Sequence, residues 1–153
     1  LTRQGLPVID DVNLVRAGVP CGAYVLEDPP AERPEVILIA TGSEVSLARA
    51  AARLLDKRGI PVRVVSMPSW ELFAEQPKSY RDQVLPPDLT ARVAVEASSS
   101  FGWERYVGPD GEVIGVDRFG ASAPGKVVME NYGFTPDAVA NRAAALIQRL
   151  RGR

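Results

Sequence analysis

Val36-Ile37-Leu38-Ile39-Ala40 is apolar without a break. A short run rich in β-branched residues predicts a strand buried on both faces, as in a parallel α/β sheet. Thr41-Gly42-Ser43 interrupts it. A helix is expected from there to about Arg58, with Val45, Ala48, Ala51, Ala52 and Leu55 on one face. Ser43 is placed to cap its N-terminus, and Glu44 lies favourably in its first turn. Gly59-Ile60-Pro61 ends that helix, and Val62 to Ser66 reads as the next strand. Residues 36–66 therefore have the length and pattern of a right-handed βαβ unit.

The same reading places a first strand over Gly22 to Glu27, a further central strand over Arg92 to Glu96 and a last one over Glu112 to Val116. Short helices are expected over Ser69 to Phe73 and Lys78 to Val84, at Trp103 to Tyr106, and over Lys126 to Asn131. Thr135 as cap with Pro136 at the first helical position opens a terminal helix, whose buried face is Val139, Ala143, Leu146, Ile147 and Leu150. Pro29, Pro30 and Pro34 make residues 28–35 a loop. That loop is too short for a crossover, so the first strand is expected antiparallel to the others. The alternation predicts a three-layer α/β/α domain around a mostly parallel five-stranded sheet. Residues 1–20 show no clean periodicity and read as an extended lead-in from a preceding domain, with polar turns at Asp10-Asp11 and Ala17-Gly18. Residues 21–153 form the domain itself.

Composition narrows the function classes. Eighteen basic and 19 acidic residues give a net charge of -1, which lacks the basic excess of a nucleic-acid or anionic-membrane partner. No apolar run reaches membrane-spanning length, and no signal peptide is recognisable. Cys21 is the single cysteine, which suits a reducing cytosol and a structural role. The first residue is Leu1, so processing or a longer parent polypeptide is expected. With no histidine, a serine triad is excluded, although a Ser–Lys pair is not. Only an all-oxygen metal site remains conceivable, and no EF-hand spacing is present.

Several residues could carry chemistry. Thr41, Gly42 and Ser43, between a buried strand and a helix, could present backbone N–H groups to an anion or nucleotide. The plainer reading, a capped helix on a tight turn, is preferred, because no dinucleotide or P-loop glycine pattern is present and Glu44 would repel phosphate. Glu71, Glu75, Glu96, Glu104 and Asp117 match no acid/base spacing and read as surface charges. Glu96 is the exception, since it ends a buried strand at the edge where α/β ligands bind. Ser98-Ser99-Ser100 reads as a loop. Trp70, Phe73, Phe101 and Trp103 are spaced to pack as core or as a subunit contact. Arg3, by itself, is an ordinary solvated arginine.

Motifs in order along the chain give these residues a context. They are Leu1-Thr2-Arg3-Gln4, Gly22 to Leu26, Ala40-Thr41-Gly42-Ser43-Glu44-Val45-Ser46-Leu47, Arg63 to Trp70, Tyr80-Arg81, Val84-Leu85-Pro86 and Gly102-Trp103-Glu104. Asp117-Arg118-Phe119-Gly120-Ala121-Ser122-Ala123-Pro124-Gly125 and Gly133-Phe134-Thr135-Pro136 complete the series. Over essentially its whole length the chain resembles the C-terminal domain of transketolase. The intact Asp117–Gly125 block favours that family over deoxyxylulose-phosphate synthases and 2-oxoacid dehydrogenase β subunits. The block itself reads as a strand end leading to a helix start at Pro124.

The resemblance implies a parent enzyme that moves a two-carbon ketol unit from a ketose phosphate to an aldose phosphate in the pentose phosphate pathway. It implies a cytoplasmic homodimer using thiamine diphosphate and a divalent metal such as Mg²⁺, both held by the rest of the polypeptide and neither by this chain. It also implies that Arg3, in the position of the family's Leu-Ser-Arg-Gln arginine, contacts the substrate phosphate. Thr2 replaces the usual serine and keeps its hydroxyl. The domain would support the dimer and be inactive alone. A regulatory anion site at Thr41–Glu44 and a purely structural assembly domain are the alternatives.

Overall fold

In the computed structural model, residues 7–30, 32–117 and 129–153 are described. Five strands form one sheet in the order β1-β3-β2-β4-β5. They are β1 (Tyr24–Glu27), β2 (Val36–Ala40), β3 (Val62–Ser66), β4 (Arg92–Val95) and β5 (Glu112–Ile114). β2 pairs in parallel with β3 and β4, Leu38 standing between Val64 and Val93. All five β2 residues are buried, as its unbroken apolar run requires. β1 is antiparallel, as its short following loop predicts, but its partner is β3 and not the next strand in sequence. The loop after β1 thus passes the start of β3. Arg63 of β3 holds Asp28 there through two hydrogen bonds of 2.9 and 2.7 Å.

Helices cover both faces. α2 (Glu44–Asp56) connects β2 to β3 and packs on α6 (Pro136–Arg151). α3 (Trp70–Ala74), α4 (Lys78–Val84) and α5 (Glu104–Val107) lie on the connections from β3 to β4 and from β4 to β5. These run in the opposite direction across the sheet, so right-handed crossovers put them on the other face. Thr135 and Ser69 cap α6 and α3, accepting from the N–H of Ala138 at 3.2 Å and of Leu72 at 3.3 Å. The rings of Trp70, Phe73, Tyr80, Trp103 and Tyr106 contact one another beneath α3–α5, Trp70 meeting Trp103 edge-on at 5.1 Å. Tyr80 donates its hydroxyl to the Ala23 carbonyl at 2.9 Å. Burial, then the neighbouring Cys21, pushes that hydroxyl's pKa up to about 12.

Two expectations are corrected. The lead-in is not extended throughout. Val12–Gly18 is a helix, α1, whose Asp11 cap accepts the Leu14 N–H at 2.9 Å, and a 3-10 turn follows over Val19–Cys21. Leu14 packs on the core while Val12 is exposed, so the segment has no apolar stripe for periodicity to detect. Ser43, in turn, does not cap α2. It sits in the helical region at φ -65°, and its hydroxyl donates to Glu44 Oε1 at 2.7 Å. The helix start expected at Pro124 lies outside the described residues, and only residues 129–131 of the expected helix ending at Asn131 are described, as helix.

Candidate functional site at the carboxyl edge of the sheet

β2 and β4 are neighbours, and the chain leaves them toward opposite edges of the sheet. Their C-terminal ends form the crevice in which open α/β sheets take ligands. Thr41, Gly42 and Ser43 leave β2 there, and Glu96 follows β4. Gly42 turns the chain at φ +54°, a left-handed conformation that suits glycine. The Thr41 carbonyl then accepts the Glu44 N–H at 3.1 Å.

The side chains give this crevice an acidic character. Glu44 is only 5% exposed, and Ser43 turns its hydroxyl toward it. Glu96 is half-buried, and its backbone N–H donates to the Ile114 carbonyl at 3.0 Å. Burial, and after it the charge of Glu44, holds the Glu96 carboxyl above its ordinary pKa. Pro7 and Ile9 close the outer side of Gly42 and Ser43, leaving a cavity of about 50 Å³ also lined by Val45 and Arg49. That volume is far below the several hundred Å³ of a small-molecule pocket. Arg49 is the one cation among the described residues lining it, and it pairs with Glu27 at 2.5 Å.

The raised pKa of Glu96 has a defined sign. The folded chain holds this proton more tightly than the unfolded one. The stability it contributes is full below the ordinary value of 4.5 and is lost as pH rises through the folded-state value. Glu96→Gln should therefore stabilise the protein at neutral pH, by about 1 kcal/mol or less because the group is partly solvated. It should change little at acid pH. Urea unfolding at the two pH values checks this, and equal effects at both would contradict it.

The other carboxylates hold loops in place. Asp117 accepts the Ser100 N–H at 2.9 Å, which lowers its pKa. Glu104 accepts the Gly102 N–H at 2.8 Å. Backbone hydrogen bonding and the Ser69 hydroxyl lower the pKa of Glu71. Glu75 is exposed. Among the described residues, no three His, Cys, Asp or Glu side chains gather as a metal site. No helix among them is long and apolar enough to cross a membrane. Arg3 lies outside the described residues.

Two features escaped sequence reading. Glu44 is a first-turn glutamate, ordinarily solvated, yet it is buried. Arg92, at the start of β4, donates to the carbonyls of Leu85, Pro86, Leu89 and Tyr106 at 3.3, 2.7, 2.9 and 2.8 Å. Its only sequence signal is a charge adjoining a buried apolar strand.

This geometry defines an open α/β domain whose ligand crevice is narrowed by its own acidic side chains and lead-in segment. The family described as the transketolase-like TK C-terminal domain matches residues 22–135. Transketolase from Geobacillus stearothermophilus is 53% identical over 148 residues, 96% of this chain and 22% of that protein. Transketolase from Bacillus subtilis is 50% identical over 150 residues, 97% of this chain and 22% of that protein. The crystal structure of a Pichia stipitis transketolase variant superposes with a TM-score of 0.83 at 35% identity, over 99% of this chain and 21% of that one. The chain belongs to the transketolase family, as its C-terminal domain. It spans about a fifth of the length of the curated relatives it matches.

Thiamine diphosphate is the cofactor that the resemblance of the sequence implies. A diphosphate there would face the carboxylates of Glu44 and Glu96, with Arg49 already paired. These residues do not fit thiamine diphosphate.

Proposed function

We infer that this chain is the C-terminal part of an enzyme that transfers a two-carbon ketol unit from a ketose phosphate to an aldose phosphate, in the pentose phosphate pathway. The observation that carries this reading is the match to transketolases at half identity along nearly the whole chain. Pichia stipitis transketolase structures hold xylulose-5-phosphate and sedoheptulose-7-phosphate, which supports ketose phosphates as the substrate class. Thiamine diphosphate and its divalent metal belong to the remainder of the polypeptide. Residues 1–20 lead in from that remainder, and residues 21–153 form the C-terminal domain. The assembled enzyme is a cytoplasmic homodimer, and this chain alone is inactive. Phe101 is 83% exposed beside the Gly102–Trp70 contact, which supports a packing role for this loop in the larger assembly.

Arg3 is the residue of this chain assigned to chemistry. Its guanidinium supplies a forked, permanently charged donor to the substrate phosphate. In the complete enzyme, Arg3→Ala should raise KM for the ketose phosphate about tenfold or more, with a smaller effect on kcat, since the phosphate is remote from the reacting carbons. Steady-state kinetics checks this. An unchanged KM would remove Arg3 from the phosphate site.

A further inference from the structure

The face of the domain opposite α2 and α6 carries a second concavity, remote in composition from the acidic crevice. It is an open groove of about 440 Å³. That is the scale of a small-molecule site. Phe73, Leu85 and Tyr106 are its buried, largely apolar floor, and Lys78, Arg81 and Arg105 are exposed on its rim. Arg92 also lines it. The one carboxylate in the lining, Asp82, is paired with Lys78 on the same helix.

No second carboxylate in the lining balances the remaining cations. Arg92 is spent on four backbone carbonyls and has no carboxylate partner among the described residues. Those carbonyls include the capping residue of α4 and the last turn of α5. Arg92 thereby satisfies the two helix ends and fixes the groove walls. The Arg81 side chain makes no hydrogen bond or ion pair with a described residue. Arg105 lies 6.0 Å from the Tyr106 ring centroid, and Glu71, outside the lining, is its acidic neighbour. Two forked cations thus flank an aromatic floor, on a chain whose overall charge is close to zero.

We propose that this groove is a binding site for a small phosphorylated compound, its phosphate held by Arg81 and Arg105 and its organic body resting on Phe73 and Tyr106. The guanidinium fork matches phosphate oxygens. The aromatic floor favours an ester with a compact apolar or ring-shaped body over the inorganic ion. Its residues are distinct from Arg3 and from those of the Thr41–Glu44 crevice, and the proposal does not depend on the transfer reaction.

Amide hydrogen exchange on the protein, with phenyl phosphate and inorganic phosphate as probes at matched ionic strength, tests this locally. Both probes should protect peptides covering α4 and α5, phenyl phosphate at the lower concentration. Arg81→Gln with Arg105→Gln should raise the half-protection concentration about a hundredfold, since each charge-assisted contact is worth roughly a factor of ten. Both positions are exposed, so the exchange pattern without ligand should be unchanged. Absence of protection by either probe, or protection that survives the double substitution, overturns the proposal. Equal action of the two probes overturns the role of the aromatic floor.

Discussion

Replacing Gly22 by alanine should cost more than about 4 kcal/mol, a large share of the 5–15 kcal/mol that holds a typical domain together. Gly22 has φ +79°, which disfavours any L side chain by about 1–2 kcal/mol. The larger part is steric. A Cβ there would lie 2.3 Å from the Phe73 nitrogen and 2.4 Å from the Ser69 carbonyl oxygen. Both are backbone atoms, so no rotamer change relieves the overlap. The Gly22 carbonyl also accepts the Ser69 N–H at 3.0 Å, which binds the turn before β1 to the cap of α3. Gly59 is the internal control. It has φ +73° with open space around its Cβ direction, so Gly59→Ala should show only the conformational cost. Urea unfolding of the two variants separates the terms, and equal losses would contradict the steric account.

Arg92→Met should be the second severe change, costing about 3 kcal/mol or more. The aliphatic stem is kept, so packing is nearly conserved. The carbonyls of Leu85, Pro86, Leu89 and Tyr106 lose a charged donor together, and each unsatisfied buried acceptor costs about 1–3 kcal/mol. Burial lowers the pKa of this guanidinium, but the group stays ionised at any ordinary pH. Arg92→Lys retains charge without the planar fork and should recover only part of the loss. Denaturation of the three proteins checks the order, and a stability for Arg92→Met near that of the parent would show the carbonyls to be solvated.

The central strands were legible because their signals are local. β2 and β3 are continuous apolar runs between turn residues, and their limits in the fold are those the pattern predicts. Ser69, Thr135 and Pro136 likewise mark helix starts by their own chemistry. α1 was not legible, because it is held by the Asp11 cap and by Leu14 against the core, with no stripe of its own. The direction of β1 followed from loop length, but its pairing with β3 is a tertiary outcome. At the crevice, Glu96 could be found because it ends a buried strand. The burial of Glu44 could not, since it is a tertiary outcome that the chemistry of a first helical turn does not report. Phe101 and Trp103 carry equal weight in sequence, yet one is 83% and the other 1% exposed. Tyr106, absent from the sequence candidates, joins the aromatic floor because α5 turns it toward Trp70 and Phe73.

The position of β1 at the sheet edge, beside a strand made later, has a consequence for the order of assembly. During synthesis β1 emerges before either strand of the βαβ unit and finds no hydrogen-bonding partner until β3 has left the ribosome. By sequence separation the unit from β2 to β3 is expected to close first through its short-range crossover, with the edge strand joining a finished template. The segment carrying β1 is therefore expected to be the last part of this half of the sheet to be secured, after the register of its central strands has been set.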